Sequence, residues 1–304
     1  MKIVGVGQCS WDYLAVVDSF PCRDSKKEVL SWNEQGGGPT ATALVALSRL
    51  GAGCSFHGTV GDDPEAGKIR QSLIYEGIDV CGLLPRAGSE SQKAFIVIER
   101  ESGKRTIFWK RPSGADLETG EMEENFLEGL DLLMLDGLMG KVSLHAAKIA
   151  NEMKVPVMLD AGSLREGMLD LAQRCDYVVT SEKFARQLGY DGDNGKFAAL
   201  LEGLGLLKTT VTLGEKGSIT FMDGRIITVP AYQVEAADTT GAGDVFHGGY
   251  AYGILNGWDI ETVLRFASAM AAIKCRSIGG RAGIPDLKTV LEFLRERGES
   301  VSIK

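Results

Sequence analysis

The chain has 304 residues, 44% hydrophobic and 24% charged, with 39 Gly, 8 Pro and 6 Cys. That mixture excludes a disordered chain and a disulfide-held scaffold, and the length allows a large buried core. With 41 acidic residues against 33 basic ones and a net charge of −8, a chain-wide basic footprint for nucleic acid is excluded as well. In chain order, Ile3–Val6 is a compact apolar run closed by Gly7, the pattern of a buried strand. Thr40–Leu50 opens behind Pro39 and stops at Gly51, which predicts a deeply buried helix. Ser55–Val60 (strand), Glu65–Tyr75 (helix), Leu132–Leu135 (strand), Val142–Glu152 (helix) and Val155–Leu159 (strand) follow. Tyr177–Thr180 and Thr209–Leu213 are two further β-branched runs. Strands separated by helices predict a parallel sheet covered on both faces.

Two regions break that alternation. Tyr13–Asp18 and Glu28–Glu34 read as strands with no helix between them, and Gln92–Glu99 and Arg105–Lys110 flank the turn signal Ser102-Gly103-Lys104. These segments, about 13–34 and 90–112, are expected to form a small lid sheet inserted into a single domain covering 1–304. The last third predicts core-facing helices from the stripes Val263, Phe266, Ala267, Met270, Ile273 and Leu287, Val290, Leu291, Leu294. No two of Cys9, Cys22, Cys54, Cys81, Cys175 and Cys275 form a C-x-x-C pair, so free thiols are expected. The start, MKIVGVGQ, is too short and too broken by Gly for a signal peptide, and no stretch approaches a membrane span. A soluble cytoplasmic protein with no membrane partner is the expectation.

Gly5-x-Gly7-x-x-Ser10 imitates a dinucleotide fingerprint, but the third Gly is Ser and no amphipathic helix follows, so that reading is rejected. The strongest signal is Asp238-Thr239-Thr240-Gly241-Ala242-Gly243-Asp244, which precedes the helix-length segment Val245–Leu255. Gly241 and Gly243 permit the tight backbone in which consecutive N–H groups converge on one anion at a helix start. A carboxylate there would repel a phosphate unless a hydroxyl lay between them. Phosphoryl transfer to an alcohol requires that arrangement, with a base on the hydroxyl and donors on the charged oxygens. Asp12, just past the first strand, and Gly36-Gly37-Gly38-Pro39, ahead of the buried helix, are the other candidate ligand contacts. Thr212–Gly217 reads equally as a hairpin turn or a nucleotide-side loop. His57, His145 and His247 show no metal spacing and read as ordinary histidines.

Together, Gly7–Asp12, Gly37-Gly38-Pro39 leading into Ala43–Gly51, Val60-Gly61-Asp62-Asp63 with Gly67, and Asp238–Asp244 resemble a PfkB (ribokinase-family) carbohydrate kinase nearly end to end. The resemblance implies a Rossmann-like three-layer α/β fold with a small β-sheet lid, and ATP with Mg²⁺ as co-substrates. It implies Asp244 as catalytic base with the Gly241, Ala242 and Gly243 amides as anion hole. Asp12, Gly37, Gly38 and Thr42 would bind the sugar, and Thr212, Gly214 and Gly217, with Gly241 and Gly243, would border ATP. Asp238 and Thr240 fall where many relatives bind a monovalent cation such as K⁺. Lid strands of the family often pair between subunits, which implies a homodimer.

Two positions depart from the family pattern. Thr42 stands where the family has Asn, and Ser181-Glu182-Lys183-Phe184 replaces the N-x-x-E motif, leaving Glu182 as the candidate Mg²⁺ residue. Gly36–Ala41, Asp244–Gly248, Lys274-Cys275 and Gly279–Pro285 look like the sulfofructose kinase branch, and the Ser181 region is similar to ketohexokinase. A ketohexose or anionic sugar is therefore the implied acceptor. Leu138, however, stands where a sulfonate-binding Arg is expected. Lys26, Arg105 and Lys110 on the lid segments are candidates for an anionic group on the sugar. A nucleoside kinase, with Phe95, Phe108 or Trp109 against a base, and a non-catalytic sugar or nucleotide sensor are the alternatives.

Overall fold

The structure is a computed structural model that describes residues 1–122 and 126–301. The chain opens with strands β1 (Lys2–Val6), β2 (Ser10–Val17) and β3 (Ser31–Gly37), then helix α1 (Pro39–Arg49), strand β4 (Gly53–Val60) and helix α2 (Pro64–Tyr75). Strands β5 (Leu83–Pro85), β6 (Lys93–Glu99), β7 (Arg105–Lys110) and β8 (Leu132–Leu135) precede α3 (Gly140–Met153), β9 (Val157–Ala161), α4 (Met168–Ala172), β10 (Tyr177–Ser181), α5 (Glu182–Leu188) and α6 (Asn194–Gly203). Then come β11 (Lys208–Thr212), β12 (Ser218–Met222), β13 (Arg225–Val229), α7 (Ala242–Leu255), α8 (Ile260–Lys274) and α9 (Leu287–Arg295).

The larger sheet has the order β13-β12-β11-β10-β9-β8-β1-β4-β5, parallel from β11 to β5 and closed at one edge by the antiparallel β12 and β13. Successive residues point to opposite faces, as a strand requires. Ile3, Leu132 and Met134 join a core with Leu44, Phe56, Tyr250 and Phe266, whereas Val4, Leu133 and Leu135 join one with Val142, Phe184 and Phe197. The result is a three-layer α/β architecture, helices on both faces of the sheet. Gly248 and Gly249 let α7 lie close against α1 and α8, since a Cβ on either would come within 2.9 Å of Ala43 or Ala267.

β2, β3, β6 and β7 form the second sheet, in the order β3-β2-β6-β7. β2 starts at Ser10, immediately after the β1 turn, where a dinucleotide fold would have placed a helix. β2 is longer than its Tyr13–Asp18 pattern because residues 10–12 already pair with Gly37, Gly36 and Gln35. The pairing register puts Asp12, Leu14, Val16, Ala94, Ile96, Ile98 and Arg105 on one face and Tyr13, Phe95, Phe108 and Lys110 on the other. Leu14, Val16, Ala94, Ile96 and Ile98 are buried together against Ile278. Along β2 and β6 the first face therefore looks onto the core, while β7 is exposed throughout and Trp32, Phe95 and Phe108 leave about half their surface open.

Candidate active site

The parallel strands all end on the same edge, and the acidic residues of the site lie there. Asp136 directly follows β8, and Asp160 is the penultimate residue of β9. β1 and β8 mark the point where successive strands begin to be added on opposite sides, which is where open α/β sheets bind ligands. Asp136 fastens that point, accepting from the Gln8 amide at 2.7 Å, Thr40 Oγ1 at 2.9 Å and the Leu138 amide at 2.9 Å. Burial raises its carboxyl to about 6 even though all three donors act the other way.

α7 begins at this edge. Gly241 sits at its N-cap in the left-handed region (φ 72°), and no side chain caps the first turn; the Ala242 amide makes a long bond to the Thr239 carbonyl at 3.3 Å, and an anion would meet the donors of this turn. A side chain on Gly241 would be strained by that φ, and its Cβ would lie 2.9 Å from Gly280. Asp244 follows in the first turn of the helix and keeps part of its surface open. Its carboxyl is raised to about 7, first by burial and next by the nearby Asp160 carboxylate. It is therefore poised to exchange a proton near neutrality.

His247 is one turn further along α7, where it is a buried core histidine with a carboxylate beside it. Its Nδ1 lies 3.0 Å from Asp160 Oδ2, both residues being buried. One donor atom from each of Asp160, Asp244 and His247 lies within 4.8 Å of the others. Burial opposes the charged imidazole, but Asp160 and then Asp244 outweigh it and raise the His247 pKa above its ordinary value.

The smaller sheet reaches this edge from above. Asp12 is buried, accepts from Ser10 Oγ at 2.7 Å and has its carboxyl raised by burial. Gly37 lies so close to Asp12 that a Cβ there would strike the carboxylate. Arg105 Nη1 donates to Thr239 Oγ1 at 2.5 Å, and the hairpin tip at Gly103 packs on Ala236, so the lid touches the 236–239 loop.

A model of the pfkB family of carbohydrate kinases matches residues 1–287. The chain belongs to that family. Ribokinase from Bacillus subtilis is 27% identical over 297 residues, covering 96% of this chain and 99% of the relative. Ketohexokinase from Mus musculus is 24% identical, covering 90% of this chain and 96% of the relative. The solved structure of ribokinase from Thermotoga maritima superposes with a TM-score of 0.83 at 27% identity, covering 96% of this chain and 99% of that one. The three-layer fold with its smaller sheet is thus the ribokinase-like fold, and the chain is a phosphotransferase acting on an alcohol.

Within this pfkB kinase, Asp12, Gly37, Gly38 and Thr42 stand together where β2, β3 and α1 meet. Arg281, which sequence reasoning kept only as part of a branch marker, is buried among them. Its guanidinium donates to the Gly37 carbonyl at 2.8 Å, to Ser72 Oγ at 3.2 Å and, from Nε, to Thr42 Oγ1 at 3.4 Å. Thr42 is therefore not a bare gap where the family has Asn, because a guanidinium occupies the space beside it.

Thr212, Gly214 and Gly217 form a hairpin between β11 and β12, one strand beyond Ser181 on the same edge. Gly214 and Gly217 both have positive φ. Phe184, at the Glu position of the N-x-x-E motif, is packed in the core and unable to serve a metal. Glu182 is tied to Arg186 at 2.7 Å. Asp238 and Thr240 are buried and hydrogen-bonded to each other, Thr240 N and Oγ1 both donating to Asp238 Oδ1. Lys110 lies on the sheet face opposite Asp12 and pairs with Glu90, which corrects its reading as a substrate contact. Lys26 lies exposed in the connection between β2 and β3.

Asp136, Asp160, His247 and Arg281 are the candidate site residues that sequence reasoning missed. A usable signal existed for one of them, because His247 is three residues after Asp244 and so shares its helix face.

Proposed function

We propose that this kinase transfers the γ-phosphoryl group of ATP to a hydroxyl of a ketohexose or an anionic derivative of one, with Asp244 as the base. The observation that carries the reading is Asp244 in the first turn of α7, behind the uncapped Gly241 turn and near enough to the lid residue Asp12 to be affected by its charge. Donors for a migrating phosphoryl group and an acceptor for the hydroxyl proton thereby share one turn of backbone. In its ionised form Asp244 takes the hydroxyl proton while the Gly241, Ala242 and Gly243 amides face the transferring oxygens. Asp12, the Gly37–Gly38 segment and Thr42 orient the sugar, with Arg281 behind them. Arg105, on the same face of the lid as Asp12 and beside Thr239, would be the cation that meets an anionic group on it.

Thr212, Gly214 and Gly217 border the nucleotide in this reading. Mg²⁺ would be held mainly by the nucleotide phosphates, supplying charge neutralisation there. Because this ion retains several waters, the Arg186-paired Glu182 would serve it through one of them. The half-open apolar surface of Trp32, Phe95 and Phe108 supports a homodimer formed through the lid.

The test is an ADP-release screen with magnesium across neutral, phosphorylated and sulfonated ketoses, pentoses and nucleosides, with Asp244→Asn as control. Turnover confined to nucleosides overturns the sugar assignment. Nucleotide binding without transfer to any acceptor makes the chain a sensor.

A further inference from the structure

β3 enters the site as a run of glycines, and two of them lack room for a side chain for different reasons. A Cβ on Gly37 would strike the Asp12 carboxylate, whereas one on Gly36 would strike the Arg281 guanidinium. The end of the strand is thus clasped between an acid of the site and a buried cation. Arg281 Nη2 donates to the Gly37 carbonyl at 2.8 Å, Nε to Thr42 Oγ1 on α1 at 3.4 Å and Nη1 to Ser72 Oγ on α2 at 3.2 Å. Its backbone is fixed as well, the amide donating to Gln35 Oε1 on β3 at 2.9 Å and the carbonyl accepting from Arg49 Nη1 at 3.1 Å. Each of the three side-chain bonds goes to a neutral oxygen. Burial pulls the Arg281 pKa down, and Asp12 is the first carboxylate whose charge acts against that pull. Arg281 in turn opposes the burial that raises the Asp12 carboxyl. A buried cation bonded to neutral oxygens is costly, and this one is held by a planar fork that spans three elements, which a lysine could not do.

We infer that Arg281 is a positioning residue for the acceptor, holding the Gly36–Gly37 segment against the Asp12 carboxylate and the Thr42 hydroxyl in place, so that it governs acceptor binding rather than nucleotide binding. The inference rests on the proposed placement of the acceptor at Asp12, the Gly37–Gly38 segment and Thr42. The contacts run from the guanidinium to the Gly37 backbone and from there to the Asp12 carboxylate, so Arg281 acts through its neighbours. Without the guanidinium the Gly37 carbonyl loses a charge-assisted donor. Asp12 at the same time loses the cation that opposes its protonation, and a protonated carboxyl has less capacity to accept from sugar hydroxyls.

Steady-state kinetics and calorimetry on the whole protein test it, with D-fructose and fructose 6-phosphate as the neutral and anionic probes and a non-hydrolysable ATP analogue for the nucleotide side. Arg281→Met keeps the bulk and removes the charge and the fork. It should raise the KM and the dissociation constant of the probe about 10-fold or more, lower kcat by a smaller factor and leave analogue affinity within about 2-fold of the wild type. Arg281→Lys restores the charge without the fork and should recover part of the probe affinity. Ser72→Ala removes one anchor and should raise the KM of the probe about 2–5-fold with analogue affinity unchanged. Probe binding that is unchanged in all three variants overturns the inference. So does a parallel loss of probe and analogue affinity, the mark of a merely structural role. If Arg281→Met fails to fold, the Lys and Ser72 variants still decide. A wild type that binds a probe without phosphoryl transfer sinks the kinase reading and leaves the binding comparison intact, whereas one that binds neither probe overturns the acceptor class and the inference with it.

Discussion

Replacing His247 by Gln removes the cation that faces the Asp244 carboxylate and leaves the opposing Asp160 carboxylate in place. The charged groups around Asp244 come from every element packed on it: Asp12 on β2, Arg105 on β7, Asp160 on β9, His247 on α7, Lys274 on α8 and Arg281 beyond it. Donor atoms of Asp160, Asp244 and His247 lie within 4.8 Å of one another. At that separation and an effective dielectric constant near 20, one unit charge alters the ionisation of Asp244 by about 3 kcal/mol, or about 2 pH units. Only ionised Asp244 accepts the hydroxyl proton, so wild-type kcat/KM should rise with pH through a midpoint near the Asp244 pKa of about 7. His247→Gln should move that midpoint alkaline, and Asp160→Asn should move it acid by removing the repelling charge. The assay is ADP release against pH with the best acceptor from the screen, comparing both variants with the wild type. Midpoints that stay in place while kcat falls evenly across the pH range would refute the electrostatic reasoning and leave the pair a packing role.

Asp244→Asn should lower kcat by about 10²–10⁴-fold while calorimetry shows nucleotide affinity nearly unchanged. The same substitution should stabilise the fold at alkaline pH. The folded pKa of Asp244 is raised, so its favourable contribution is full below the unfolded value of 3.8 and is lost as pH rises through about 7. Melting temperatures of variant and wild type should therefore separate above neutrality and converge in acid. Gly241→Ala should cost about 1–3 kcal/mol of stability through its positive φ and lower kcat further by disturbing the amide turn; denaturant unfolding and steady-state kinetics check the two effects separately. Arg105→Ala should raise the KM for an anionic sugar more than for its neutral counterpart, and equal changes for both would leave Arg105 only its Thr239 contact.

The alternation of strands and helices was legible because each segment carries its own period. Leu132–Leu135 coincides with β8, and the helix starts at Pro39 and Pro64 follow from the fixed φ of proline. The small sheet was legible in its hairpin, but its full extent depends on pairing between Ser10–Asp12 and Gln35–Gly37, which local propensity does not record. Within the site, Asp238–Asp244 announced itself because glycines and a carboxylate in that order serve few structural purposes. Asp160 did not, since Val155–Leu159 looked complete without it and its partner His247 lies 87 positions away. Arg281 and Lys274 escaped for a similar reason. A buried cation is recognised by the oxygens around it, and those come from segments remote in the chain.

Asp12 is carried by the small sheet, whereas Asp244 is anchored in a helix of the main body. Only the short Gly7–Cys9 connection separates the strand that carries Asp12 from β1 of the main sheet. In the proposed reading, the acceptor that Asp12 holds would carry its hydroxyl to Asp244 across the junction of the two sheets.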